Sequence, residues 1–332
     1  MTNGAPAAAA VGPGGVLSGP GLRTTIWPDV TVVLPTRGRP ELVRLAVQGV
    51  LDQDYAGHVR CLVVHDQEER DTSLVEFAVG RAGRAVEVCE NDHGSGLAGS
   101  RNAGLSRTTT DVVASCDDDD VWWPAKLRLQ VQRLLDDHSL LVVGAGIRLH
   151  MGPGQDVDWV GPSDCVSLPD LARGRRKELH SSTLVMRREV FDRAGTYDEK
   201  LPHSYAEDYE WLLRAVRHGP IGVVRTPLAT IKKDGTSWFR QRSEVVAAAL
   251  EYLLDTHPEL TLSPRGHARI LGQIAFAHAS LGHRGQAFRY VARSVRRYPL
   301  APQAALALAQ IVTGGDPQVL LRQARRFGRG LA

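Results

Sequence analysis

Apolar positions along this chain change period repeatedly, and the changes mark out its elements. Val30-Thr31-Val32-Val33-Leu34 is a continuous, mostly β-branched run that suits a strand buried on both faces, and Pro35-Thr36-Arg37-Gly38-Arg39-Pro40 breaks it sharply. Leu42, Leu45, Ala46, Val50 and Leu51 then recur at helical spacing before a second buried run, residues 60–65, which stops at Asp66. The same reading predicts a helix over 73–82, a short strand over 85–89, a glycine-rich turn over 91–99 and a helix over 100–106. A strand, Val112-Val113-Ala114-Ser115-Cys116, then runs straight into Asp117-Asp118-Asp119-Asp120, and a helix starts near Pro124. Strands are predicted over 140–149 and 178–186, with a Gly/Pro/Asp-rich, weakly structured excursion between them over 151–176 and a short helix over 188–194. Closing strands follow at 221–225 and 228–232, then a helix over 243–256, and after Pro264 the pattern is helical only. Strands alternating with helices predict an α/β fold with a parallel sheet.

In open α/β sheets ligands bind beyond the carboxyl ends of the strands, which gathers Thr36, Arg37, Asp66 and the four aspartates on one edge. Four adjacent carboxylates repel unless a cation, donors or water offset them, and hard oxygen ligands select Mg2+ or Mn2+. Taken alone, the acidic run also fits a solvated turn capping the helix near Pro124. Neither a Gly-x-Gly-x-x-Gly turn after the first strand nor a Gly-Lys-Ser/Thr ending occurs, so dinucleotide and P-loop chemistry are disfavoured.

Composition adds limits. With 332 residues and 43% hydrophobic content the chain can bury a full core, and no run approaches the roughly 18 apolar residues of a membrane span, so a cytoplasmic protein is expected. Residues 1–28, rich in Ala, Gly and Pro, read as a disordered leader. Cys61, Cys89, Cys116 and Cys165 lack paired metal-ligand spacing and read as reduced thiols. Net charge is only +3, yet from Arg265 onward Asp316 is the sole acid among many arginines, which suggests an anionic partner or membrane surface for that tail, or simply a solvated face. No nucleic-acid partner is expected.

Five segments in order resemble the family-2 glycosyltransferases with the GT-A fold. They are Val33-Leu34-Pro35-Thr36-Arg37-Gly38-Arg39-Pro40-Glu41-Leu42, Val64-His65-Asp66, Ser100-Arg101-Asn102-Ala103-Gly104, Asp117 through Trp123-Pro124-Ala125-Lys126-Leu127, and Ala206-Glu207-Asp208-Tyr209-Glu210-Trp211. The resemblance departs at His65 and Gln67, where many members carry an aspartate and a glycine. It implies an inverting, metal-dependent transfer of a sugar from a nucleoside-diphosphate donor to a hydroxyl acceptor. Asp208 is then the base and Glu207 holds loop or acceptor groups. Asp119 is the first choice for the Mn2+ or Mg2+ ligand and Asp117 the second, with Asp117 and Asp118 holding ribose or metal-bound water. Thr36 and Asp66 belong to the nucleotide side, and Arg37 and Arg101 contact the diphosphate or form structural ion pairs. Lys233 is a phosphate contact or an exposed lysine. His180, Ser181, Ser182 and Trp211 are assigned to the acceptor side, with simple packing as the alternative for His180.

Domain bounds of 29–240 for catalysis and 241–332 for a helical extension follow from the change in pattern. Leu271, Ile274, Ala275, Leu281-Gly282, Ala287, Val291 and Pro299 resemble one tetratricopeptide-like hairpin, although Ser294 stands where alanine is usual. A single repeat cannot bury its own face, so it should pack on the catalytic domain or on a second copy in a homodimer. A catalytically silent scaffold using the basic tail is the rival reading, and loss of the acid cluster or Asp208 would favour it. A nucleotidyltransferase would require a glycine-rich, lysine-bearing loop after the first strand, which residues 36–40 do not supply.

Overall fold

A computed structural model describes residues 26–232, 243–317 and 319–321. The described residues begin slightly before the expected end of the leader. The Trp27 ring meets Tyr55 edge-on at 5.3 Å, and the Tyr55 hydroxyl donates to the Pro28 carbonyl at 2.5 Å.

The first half alternates as its pattern demands: β1 (Val30–Thr36), α1 (Pro40–Leu51), β2 (Val59–His65), β3 (Arg84–Glu90), α2 (Leu97–Ser106), β4 (Val112–Ser115), β5 (Val121–Trp122) and α3 (Lys126–Asp136). Every residue of β1 and β4 is buried, consistent with continuous apolar runs covered on both faces. The region expected as a helix over 73–82 is instead a 3-10 turn, Thr72–Ala78, capped by Asp71; Leu74 is its one buried residue, too little apolar face to hold a longer helix.

The chain continues through β6 (Val142–His150), β7 (Asp156–Trp159), β8 (Cys165–Val166), α4 (Leu168–Arg173), β9 (Val185–Arg187), α5 (Glu189–Ala194), α6 (Glu207–Ala215) and β10 (Ile221–Lys232). The excursion over 151–176 thus carries two short strands and a helix. The expected strand over 178–186 survives only as β9. Before it lie two 3-10 turns, Lys177–Leu179 and Ser181–Thr183. Local polar chemistry explains the loss: the Thr183 hydroxyl bonds the Glu178 and His180 carbonyls at 2.9 and 2.7 Å, competing with a ladder.

The described strands form one sheet ordered β3-β2-β1-β4-β9-β6-β10-β5, with β7 on β6 and β8 on β10. It is mixed rather than parallel. β3, β2, β1 and β4 run parallel, β9 is antiparallel to both β4 and β6, and β5 is antiparallel to β10. The antiparallel insertion of β9 brings the turn Ser181–Thr183 across from the end of β4, and so against the aspartates.

Four helices follow: α7 (Ser243–Thr256), α8 (Pro264–Ser280), α9 (Arg284–Arg297) and α10 (Pro302–Thr313). Part of their packing is shared with the first part of the chain. Ala249, Leu250, Leu253, Leu260, Ile270 and Ile274 join the cluster that contains Tyr209, Leu213 and Val216. A Cβ on Gly266 would lie 2.0 Å from the Ala172 carbonyl oxygen, which shows how closely α8 seats on α4. A smaller core joins α8, α9 and α10, and within it the Ser294 hydroxyl is satisfied by the Ala268 carbonyl at 2.7 Å.

Candidate active site

The acidic run leaves β4 at the carboxyl edge of the sheet, and each carboxylate meets a different set of donors. Asp118 accepts from Thr36 Oγ1 at 2.8 Å and from Arg39 at 2.9 Å, while the same Arg39 nitrogen reaches Asp119 at 2.9 Å. Asp117 accepts from Arg101 at 2.6 Å and from the Ser181 hydroxyl at 2.5 Å, and its backbone N–H donates to Ser182 Oγ. The Ser182 hydroxyl donates to Asp120 at 2.5 Å. His180 Nδ1 lies 3.6 Å from the same Asp120 oxygen.

Electrostatics divide the run. Despite its burial, Asp117 is held below the usual carboxylate range by Arg101, His180 and Ser181. Burial pushes Asp118 and Asp119 up against the opposing pull of Arg39. Asp120 is pushed well above the ordinary value by burial and by its neighbours Asp117 and Asp119. The cluster is therefore short of positive charge, which is the condition that favours a cation. Asp117, Asp120 and His180 offer ligand atoms that all lie within 4.8 Å of one another. Carboxylate oxygens with one imidazole suit Mn2+ or Mg2+, so the donor set fits the expected ion. Asp119 stands outside that trio, paired with Arg39 and about a third exposed.

The second carboxylate pair arrives on α6. Ala206, in the left-handed region at φ 70°, precedes the helix, and His203 and Ser204 also have φ of 52°. These three non-glycine residues in a costly conformation set the entry angle of the helix. Ser204 Oγ is tied to the start of α2 by accepting the Ala98 N–H at 3.2 Å. Glu207 is buried and paired with Arg101, so one guanidinium bridges Glu207 and Asp117. Burial raises Glu207 to about 7 even with Arg101 beside it. Asp208 Oδ1 accepts from Arg175 at 2.6 Å and from the Tyr209 N–H at 2.7 Å. Among the described residues no donor reaches its Oδ2.

Several expected positions are brought together and others are not. Thr36, Asp118 and Asp119 are joined through Arg39, while Arg101, Asp117, Ser181, Ser182 and Glu207, with His180 against Asp120, form a second network. Asp66 lies on the same edge, held by Asn91 at 2.9 Å and the Gly96 N–H at 3.2 Å, with exposed Arg37 at 3.4 Å. Ser181 and Ser182 are buried and spend their hydroxyls on the aspartates rather than facing an acceptor. Trp211 is 0% exposed, stacked on Phe191 at 5.1 Å with its indole N–H donated to the Gly195 carbonyl, so it packs the core and has no surface for an acceptor. Lys233 lies outside the described residues. Two arginines were not expected here. Arg39 sits in the same turn as Arg37, and Arg175 comes from the excursion over 151–176.

Residues 31–193 match the family model described as Glycosyl transferase family 2. The UDP-Glc:alpha-D-GlcNAc-diphosphoundecaprenol beta-1,3-glucosyltransferase WfgD of Escherichia coli is 26% identical over 118 residues, 35% of this chain and 44% of that protein. The putative colanic acid biosynthesis glycosyl transferase WcaA of Escherichia coli K12 is 25% identical over 199 residues, 57% of this chain and 66% of that protein. The chain spans about half the length of the curated relatives it matches. Among solved structures, S. aureus TarS 1-349 in complex with UDP aligns with a TM-score of 0.57 at 18% identity, covering 90% of this chain and 92% of that one. The mannosyltransferase PcManGT from Pyrobaculum calidifontis, in complex with GDP-Man and Mn2+, aligns at 0.54 and 19% identity over 88% and 82% of the two chains. At such identities the likeness shows the fold, an α/β GT-A fold with a helical tail.

Proposed function

From the premise that residues 31–193 are a family 2 glycosyl transferase domain, we propose that this protein transfers a sugar from a nucleoside-diphosphate sugar to an acceptor hydroxyl with inversion. The observation that carries this reading is the bridge through Arg101. One buried guanidinium holds Asp117, at the end of β4, and Glu207, at the start of α6, and so fixes the acidic edge relative to Asp208.

Inversion requires a single displacement with one base and stabilisation of one leaving group. In this reading Asp208 takes the acceptor proton on Oδ2, while Arg175 and the Tyr209 N–H orient the carboxylate through Oδ1. Asp119 and Asp117, with Asp120 and His180 adjacent, would hold a divalent ion. When bound, that ion supplies positive charge for the departing diphosphate. Thr36 and Arg39 fix Asp118 so that its carboxylate is not free to collapse onto its neighbours, and Asp66 is held by Asn91 on the nucleotide side. The α8–α9 hairpin is read as one tetratricopeptide-like unit that covers the catalytic core.

The test is a thermal-shift screen of the whole chain against nucleoside diphosphates, with Mn2+, with Mg2+ and with chelator. A tight ligand stabilises the native state by mass action, about 2.7 kcal/mol at a hundredfold excess over Kd. One nucleoside diphosphate should raise Tm, and only with a divalent ion. No stabilisation by any of them with either metal would overturn the proposal.

A further inference from the structure

We propose that the acceptor carries a phosphate group, bound between Arg175 and Arg269 beside Asp208. The inference rests on the transferase reading and names the acceptor class for that same site.

Arg175 follows α4 and Gly174, donates to Asp208 and lies 5.9 Å over the Tyr209 ring. Arg269 comes from α8, where a Cβ on Gly174 would meet its Cζ at 3.4 Å, so the second guanidinium rests on the backbone next to the first. Arg269 Nε is buried without a hydrogen-bond partner. Among the described residues the groups that face Arg269 are Tyr209, Arg175 and Tyr205, with no carboxylate among them; burial first, and then Arg175, push its pKa down. Arg175 thus has Asp208 and Glu207 near it, whereas the charged neighbour of Arg269 is Arg175 itself. The neighbouring Arg176 is already paired with Asp170 at 2.8 Å.

A buried guanidinium donor left unpaired beside a second guanidinium is costly in the absence of an anion. A phosphate monoester carries about 1.5 to 2 negative charges at neutral pH and matches the planar fork of a guanidinium. It would pair Arg269 and relieve its repulsion with Arg175, while leaving an acceptor hydroxyl near Asp208 Oδ2.

The experiment uses the whole chain saturated with its nucleoside diphosphate and Mn2+, so that the donor site is filled. Glycerol 3-phosphate is titrated by calorimetry, with glycerol as the neutral control, and vesicles of phosphatidylcholine with and without phosphatidic acid are tested by co-sedimentation. Glycerol 3-phosphate should bind and glycerol should not. Arg269→Gln and Arg175→Gln should each weaken phosphate binding about tenfold or more, whereas Arg289→Gln on α9 should not change it. Arg269→Lys replaces Arg269→Gln should the latter fail to fold, since it keeps the charge but loses the fork. Arginine-dependent binding to phosphatidic acid vesicles points to a lipid-borne phosphate, and binding of glycerol 3-phosphate alone to a soluble one; both support the proposal. Normal nucleotide binding with no phosphate binding, or phosphate binding indifferent to both arginines, overturns it. Failure of the wild type to bind any nucleotide with Mn2+ overturns the transferase reading, and this inference with it.

Discussion

Asp208→Asn separates a catalytic carboxylate from a structural one. Asparagine keeps the size of the side chain and an Oδ1 that accepts the Tyr209 N–H, now 2.7 Å away, but it cannot take a proton. A positioned base contributes about 10²- to 10⁴-fold, so turnover should fall by that factor, about 3 to 5 kcal/mol of barrier. The stability cost is much smaller. The Arg175 side chain is 45% exposed, so its pairing with Asp208 contributes no more than about 1 kcal/mol after solvent screening. Loss of a negative charge in the first turn of α6 costs about 0.3 to 1 kcal/mol more. Together these shift Tm by only a few degrees. Nucleoside-diphosphate affinity should hold, because Asp66 and the run Asp117 to Asp120 are untouched. Turnover, Tm and nucleotide affinity measured on one preparation decide the matter: turnover within a few-fold of wild type would refute the assignment of Asp208 as base.

Asp119→Ala should abolish the metal-dependent part of the nucleotide thermal shift, since a hard cation loses one of few oxygen ligands; a full shift in Asp119→Ala together with its loss in His180→Ala would place the ion on Asp117, Asp120 and His180 instead. Glu207 titrates near 7 in the fold against 4.5 for the free side chain, so the native state keeps a proton the unfolded chain releases, and stability should fall by at most about 3 kcal/mol as pH rises across that window. Urea titrations at pH 5 and 8 should show that fall flattened in Glu207→Gln, and an unchanged slope would count against it. His257 has the same sign over a higher window: burial opposes its charge, but Glu210 and Glu259 hold its pKa above 6.5, so its contribution is complete below that value and lost as pH rises through the raised one. His257→Gln should therefore cost stability at pH 6 and converge on wild type above the folded pKa. Gly266→Ala should lower Tm by an amount corresponding to about 1 to 3 kcal/mol or more, because its Cβ would overlap the Ala172 carbonyl, and an unchanged Tm would mean the two helices are not so tightly seated.

Legibility in the sequence followed burial. β1, β2 and β4 are readable because strands covered on both faces must be continuously apolar, and the acid run stands out because it follows such a strand directly. The turn Ser181–Thr183 was not, since an apolar-flanked Ser-Ser-Thr has strand composition and only its long-range bonds to Asp117 and Asp120 reveal a different conformation. Sequence alone does not separate Arg39 from Arg37, for a local reason. Gly38 at φ +64° turns the backbone, so that Arg39 reaches the aspartates while Arg37 stays exposed, and the adjacent Arg-Gly-Arg gives no hint of which side chain turns inward. Trp211 follows the Glu207-Asp208 pair in the same motif, yet Phe191 and Tyr197 enclose it. Arg175 and Arg269 are 94 positions apart, in segments with no shared periodicity, and only the docking of α8 on α4 makes them neighbours.

The core that runs without interruption from α6 into α7 and α8 makes the helical tail part of the folding unit, not a passenger on it. A chain cut after β10 would leave Tyr209, Leu213 and Val216 facing water and would free the α6 entry turn that α7 now backs. Loss of the tail would then present as insolubility, and an exchange of tails between two such chains would have to carry α7 and α8 along with the surface they cover.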